Sequence, residues 1–237
     1  MKDITMGAGS TREAKKRVFE LLAEDDFDRA ISEITRMDRN KVVNYLISAL
    51  CCCEPLIKWR AVSALGKVVS YLADEDLETA RVIMRRFMWM LNDESGGIGW
   101  GVPESMAEIM ACHKDLGTEY APILVSYLRE DGNFLEYEPL QRGLMWGIGR
   151  LGYMRPNLLK SLEVEEYLPG FLEANDLEVR ALAAWACGIL NVESVKEVLE
   201  KMKENTDTIL FYWNGVLEEK TVGELIRNAI SINNGNF

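Results

Sequence analysis

The chain has 237 residues, 48% of them hydrophobic, and a formal net charge of −11. That apolar content supports a buried core and excludes global disorder. No run approaches eighteen apolar residues, so no membrane span is expected, and an acid excess spread along the chain argues against wrapping a nucleic-acid backbone.

The first residues, Met1 to Gly7, carry no apolar stretch of the kind a secretory leader needs, so the expected location is cytoplasmic. Ser10-Thr11-Arg12-Glu13 reads as a capping box ahead of Val18, Leu21 and Leu22. Asp25 and Asp26 then open a short helix through Ile31 and Ile34. These two helices, over residues 10–36, are expected to cap the apolar end of the first repeat.

From residue 39 to 203 the chain repeats. Four segments align, opening at Ile57, Ile98, Leu140 and Val179, with spacings of 41, 42 and 39 residues. Each closes on a small-large-small triplet: Ala64-Leu65-Gly66, Ser105-Met106-Ala107, Gly147-Ile148-Gly149 and Ala186-Cys187-Gly188. Small residues at helical spacing let two helices approach closely while the large residue fills the core. Lys41–Ile47, Leu77–Leu91, Tyr120–Leu128, Val164–Leu172 and Val192–Met202 lie between these inner helices and suit outer ones. Asn175, with Glu178 three residues on, marks the start of the fourth inner helix. In the second copy Gly96, Gly97, Gly99, Gly101 and Pro103 delay the helix to about Val102. The backbone before it would be loop, which suits either a bend in the array or an anion site at the helix N-terminus.

After the repeats, Thr208–Trp213 is β-branched and aromatic, and Asn214-Gly215 follows before Val216–Lys220. Asn-Gly between such runs predicts a two-residue hairpin. Thr221-Val222-Gly223-Glu224 is a second capping box, starting a helix through Leu225, Ile226 and Ile230. Residues 208–231 are expected to cover the C-terminal end of the array, and the whole chain, 1–237, to form a single domain.

The segment from Val179-Arg180 to Ala186-Cys187-Gly188 resembles the HEAT-repeat family, including the variety found in phycobilin-lyase-like proteins. Lys58 and Gln141 stand at the Arg180 position in two other copies and Gly99 in the second. The resemblance implies an all-α fold, a right-handed α-solenoid of HEAT-like helical pairs, with the small β-hairpin added at the end. It also implies function by binding through the curved surface rather than by catalysis.

The alignment exposes a stripe that packing of the repeats does not require. Two residues after each aliphatic anchor stand Trp59, Trp100, Arg142 and Ala181; six after it stand Ser63, Glu104, Trp146 and Trp185. These positions share a helix face one turn apart and are expected to line the concave surface. Lys67, Glu108 and Arg150 form a neighbouring rim. Aromatic residues with interspersed charges suit a recognition groove, so Trp59, Trp100, Glu104, Arg142, Trp146 and Trp185 are the candidate binding residues for a protein segment or a small-molecule ligand. Core packing of the tryptophans is the competing reading. A second class is an enzyme or carrier acting on a small molecule or bilin, with Glu104 as acid or base and Arg142 holding an anion.

Five cysteines, three of them adjacent at Cys51–Cys53, and no C-x-x-C spacing predict reduced, mostly buried thiols. Adjacent helical positions point about 100° apart and cannot close on one metal. His113 is the single histidine, which excludes His-rich zinc or di-iron centres. Neither a metal nor a cofactor is expected.

Overall fold

The computed structural model describes residues 11–92 and 98–233. Ser10 of the first capping box and Gly96 and Gly97 of the second repeat lie outside the described residues. Helices α1 (Thr11–Ala23) and α2 (Phe27–Arg36) come first, followed by α3 (Arg39–Ala49). Four inner helices, α4 (Pro55–Glu75), α6 (Val102–Cys112), α8 (Glu138–Met154) and α10 (Leu177–Leu190), pack side by side in chain order. On the outside run α5 (Leu77–Leu91), α7 (Lys114–Ser126), α9 (Pro156–Lys160) and, beyond α10, α11 (Lys196–Met202). The result is an α-solenoid. No helix among the described residues is long and apolar enough to cross a membrane.

The small-large-small triplets do what their sizes allow. A β-carbon on Gly147 of α8 would stand 2.8 Å from that of Ala107 on α6, and one on Gly188 of α10 would stand 2.8 Å from that of Ala229. Leu65, Met106, Ile148 and Cys187, the large members, are fully buried. Helix α6 begins at Val102, as Pro103 predicts, after Gly101 in the left-handed region at φ 70°.

Two elements differ from expectation. Val164–Leu172 forms no α-helix but two 3-10 turns, Val164–Glu166 and Leu168–Glu173. Pro169 lacks the N–H that an α-helix needs and Gly170 adds backbone freedom, so the tighter turn prevails. The cap of α10 is Asp176 rather than Asn175; its carboxylate accepts the Val179 N–H at 3.0 Å.

The C-terminal hairpin, β1 (Thr208–Trp213) and β2 (Val216–Thr221), pairs Trp213 with Val216 across Asn214 and Gly215, both at positive φ. Thr221 and Glu224 then exchange hydrogen bonds at 2.8 and 3.1 Å as a capping box for α12 (Val222–Asn233). Helix α12 packs on α10 and covers the end of the array. The hairpin does not. It folds back into the concave surface and reaches the first repeat, where Gly215 meets Phe27 of α2 and its carbonyl accepts Arg60 Nε at 3.1 Å.

Candidate functional site

The hairpin stands on edge in the groove. In a two-residue hairpin the residues flanking the turn exchange both ladder bonds, so the main-chain groups of Tyr212 and Leu210 point away from β2. The indole N–H of Trp146, on α8, donates to the Tyr212 carbonyl at 2.9 Å, which fixes that edge of β1 against the helices. Alternation along the strands then puts Leu210 and Tyr212 on one face and Phe211 and Trp213 on the other. The hairpin divides the concave surface lengthwise into two troughs.

On the Phe211 side lies Trp185, 3% exposed, edge-on to Phe211 and Trp213 with ring centres 5.0 and 5.7 Å away. Arg150 lies over the Trp213 ring at 5.0 Å and binds Glu108 through Nε at 2.6 Å and Nη2 at 3.0 Å. Burial lowers the Arg150 pKa, but the hydrogen bond and charge of Glu108 outweigh it and the net direction is upward. Two members of the expected rim are therefore one buried ion pair joining α6 to α8.

On the Tyr212 side a cavity of about 260 Å³ stays open, lined by Trp59, Trp100, Glu104, Arg142 and Trp146 together with Lys58. Five of the six candidate residues meet there. Trp59 stacks on Tyr212 at 5.3 Å and leans on Trp146 at 4.8 Å, and the Tyr212 hydroxyl shares a 2.8 Å hydrogen bond with Ser63. Burial drives the Tyr212 hydroxyl pKa upward, well above the ordinary phenol value. Trp100 lines the same cavity, edge-on to Tyr137 at 6.0 Å. Trp59 and Trp100 are half-buried, whereas Trp146 is 2% exposed, sealed beneath the hairpin. The expected stripe of four tryptophans on one open surface is thus broken. Trp146 and Trp185 face the groove, but β1 covers both, because the chain supplies its own strand there.

The charged side chains of this trough pair with one another or with neighbours, save for one carboxylate oxygen. Lys58 Nζ donates to Glu104 Oε1 at 2.9 Å and lies 5.2 Å from the centre of the Trp59 ring. Glu104 Oε2 is buried and has no hydrogen-bond partner among the described residues. The carboxylate rests where a β-carbon of Gly143 would be: that carbon would stand 2.8 Å from Oε1 and closer still to Cδ and Oε2. Arg142 binds Asp176 through two parallel hydrogen bonds, one at 3.0 Å, and lies 3.4 Å from Glu178. The hydrogen bond to Asp176 raises the Arg142 pKa despite partial burial. For Asp176, burial alone would raise the carboxyl; the bonds from Arg142 and the Val179 N–H outweigh it and hold it below the ordinary range.

Sequence reasoning missed Lys58, Gly143, Asp176 and Tyr212. A signal existed for Lys58. Its counterparts Gln141 and Arg180 turn back to carbonyls of the preceding loop, at Leu135 and at Ala174 and Asn175. Lys58 instead crosses to the next repeat's Glu104. The cysteine expectation also needs correction: Cys51 and Cys53 are exposed and Cys52 is half-buried, because they form the turn between α3 and α4 rather than a helix face. Cys187 is buried, with its thiol pushed up to about 12 by desolvation. Cys112 is raised to about 11, by burial first and by neighbouring Glu108 second.

No family model matches the chain. An uncharacterized protein of Archaeoglobus fulgidus is 24% identical over 181 residues, covering 76% of this chain and 91% of that protein. Among solved structures, a designed armadillo repeat protein in complex with the peptide (KR)4 superposes with a TM-score of 0.51 at 16% identity. It covers 95% of this chain and 100% of its own. A computationally designed armadillo repeat protein for modular peptide recognition gives 0.47 at 14% identity, covering 93% and 98%. The fold is an armadillo-type α-solenoid with a small antiparallel hairpin.

Proposed function

We propose that the chain is a non-catalytic, cytoplasmic binding scaffold that holds a protein segment in the trough beside its hairpin. The observation that carries this reading is the open cavity in which Trp59, Trp100, Glu104, Arg142 and Trp146 converge. Large, stiff aromatic rings give contact area at low entropic cost, and the surrounding ion pairs fix orientation. The armadillo-type fold agrees with this, since the similar designed protein holds a peptide. Trp185 takes a supporting part: its ring holds the hairpin that forms one wall of the trough. The repeats themselves we read as HEAT-type pairs, which two-helix units at spacings of 39 to 42 residues support.

An acid or base role for Glu104 fits the geometry less well. Its Oε1 is paired with Lys58 and its Oε2 is enclosed against Gly143, while Arg142 is bound to Asp176, so both groups are engaged in contacts of the chain itself. The test is capture from native extract with the intact chain and with Trp100→Ala. The expected result is a stoichiometric protein partner that the variant loses at least tenfold, on the hot-spot scale of about 2 kcal/mol. Should extract yield no partner while a metabolite screen stabilises the protein, the scaffold reading fails.

A further inference from the structure

The hairpin has two long edges, and only one of them is bonded to the helices. On β1 the Tyr212 carbonyl accepts the Trp146 indole. Leu217 and Glu219 stand across the ladder from Tyr212 and Leu210, so their N–H and C=O groups point the other way, off the outer edge of β2. These main-chain groups have no hydrogen-bond partner among the described residues. The free window is closed at both ends. At the turn the Gly215 carbonyl is held by Arg60, and at the base the Thr221 N–H is held by Glu224. Neither a proline nor a bulge interrupts β2 between them.

An open edge of this kind is a template for another strand, and proteins commonly blunt it with charge. Here that protection is incomplete. Glu218 and Lys220 share one face and pair at 3.0 Å, so their charges offset each other. Glu219, exposed on the other face beside half-buried Leu217, has no ion-pair partner among the described residues. Pairing with a second copy is disfavoured by charge. The antiparallel register that uses all the free groups of two copies sets Leu217 of each against Glu219 of the other, and Glu218 then stands directly opposite Glu218. Each copy also carries a net charge of −11. The edge is ordered before any strand arrives, because Arg60 fixes the turn and α12 the base, and that lowers the cost of binding.

We infer that β2 receives an extended segment of another protein as a third, antiparallel strand, bonded through the main-chain N–H and C=O groups of Leu217 and Glu219. No residue of β2 lines the trough, so this surface stands apart from the segment-holding site proposed above. One residue of the incoming strand exchanges both ladder bonds with Glu219, and the residue two further on exchanges both with Leu217. Their side chains lie on the same face as those of Glu219 and Leu217. The first is therefore basic and the second apolar and β-branched. The residue between them faces the side of Glu218 and turns its own N–H away from β2.

Heteronuclear NMR of the intact, isotope-labelled chain, titrated to millimolar concentration with the end-blocked peptide Thr-Lys-Thr-Val-Thr, tests the inference. The amide protons of Leu217 and Glu219 should move downfield and exchange more slowly. Methylating the peptide nitrogens of Lys and Val removes the two donors and should abolish both effects, whereas methylating that of the central Thr should preserve them. Glu219→Lys, at an exposed position, should weaken this peptide severalfold and strengthen Thr-Glu-Thr-Val-Thr. Unmoved Leu217 and Glu219 amides, or equal effects with the Lys- and Val-methylated peptide, overturn the strand pairing. An unchanged charge preference in Glu219→Lys overturns the basic residue assigned to the partner. Shifts at Leu217 and Glu219 that grow with protein concentration in the absence of peptide mark a second copy as the occupant and overturn the assignment to another protein. Trp100→Ala should leave the titration as it is, so a failure here and a failure of the trough reading are seen separately.

Discussion

Replacing Gly143 with alanine should destabilise the protein, against the usual rule for a helix interior. Alanine in place of an interior helical glycine ordinarily gains about 1 kcal/mol. Gly143 lies within α8, but its missing β-carbon is where the Glu104 carboxylate rests. Glu104 is 2% exposed and its neighbours on α6 are buried, so the carboxylate has little room to move aside. The added methyl must push it off, and the 2.9 Å bond to Lys58 goes with it. Breaking a buried ion pair costs about 3–5 kcal/mol, which leaves a net loss of about 2–4 kcal/mol. At this chain length that corresponds to a fall in Tm of roughly 5–15 °C. The assay is urea unfolding followed by circular dichroism, for Gly143→Ala, Glu104→Ala and the double variant. With Glu104 shortened the clash is gone, so Gly143→Ala should then be neutral or stabilising by about 1 kcal/mol. A Gly143→Ala protein as stable as the parent would refute this placement of Glu104.

Other consequences are open to direct measurement. Trp146→Phe keeps most of the ring but leaves the Tyr212 carbonyl without its donor, so unfolding should cost about 1–3 kcal/mol less, and Trp100→Ala, at a half-buried site, should be the milder stability variant of Trp100→Ala and Trp146→Ala, the latter losing about 3–5 kcal/mol in urea titrations. Iodoacetamide at mild alkaline pH should label Cys51 and Cys53 in the folded protein and spare Cys112 and Cys187, whose thiols are raised to about 11 and 12; mass spectrometry finding Cys187 labelled first would contradict the burial. Asp176 is held below its unfolded value of about 3.9, so its stabilisation is complete above that pH and is lost as pH falls through the lower folded value. Tm measured from pH 6 down to pH 2 should therefore drop less steeply below about pH 4 in Asp176→Asn than in the parent.

The repeats were legible because their physics is local and periodic. An aliphatic opening and a small-large-small close recur near forty residues, and the close contacts of Gly147 with Ala107 and of Gly188 with Ala229 are what that pattern encodes. Pro103 fixed the start of α6 for a reason internal to its own turn. Asn214-Gly215 likewise announced a hairpin through its own backbone preferences. The position of that hairpin was not legible. It depends on Trp146 reaching Tyr212 across 66 residues and on Arg60 reaching Gly215 across 155, and no local pattern carries such a pairing. The stripe was half legible for the same reason. Helical spacing places the tryptophans on the inner face, but which of them stay open depends on what the far end of the chain lays over them.

That covering strand changes what kind of solenoid this is. In a simple array each repeat touches its neighbours, and a groove runs open along the whole inner face. Here Arg60, 7% exposed on the first inner helix, donates to the carbonyls of Leu22 at 3.1 Å and Glu24 at 2.5 Å as well as to that of Gly215. One guanidinium thus ties the N-terminal helices, the first repeat and the C-terminal turn together. Its face also lies on Phe27, 4.8 Å from the ring centre. The hairpin is held at both ends, by Arg60 at its turn and by α12 on α10 at its base, so it is a fixed wall. A fixed wall explains why Trp59, Trp100, Glu104, Arg142 and Trp146 remain together while Trp185 does not. They lie on the Tyr212 side of the strand, and Trp185 lies on the Phe211 side. The chain's own strand therefore narrows a general groove to one aromatic trough.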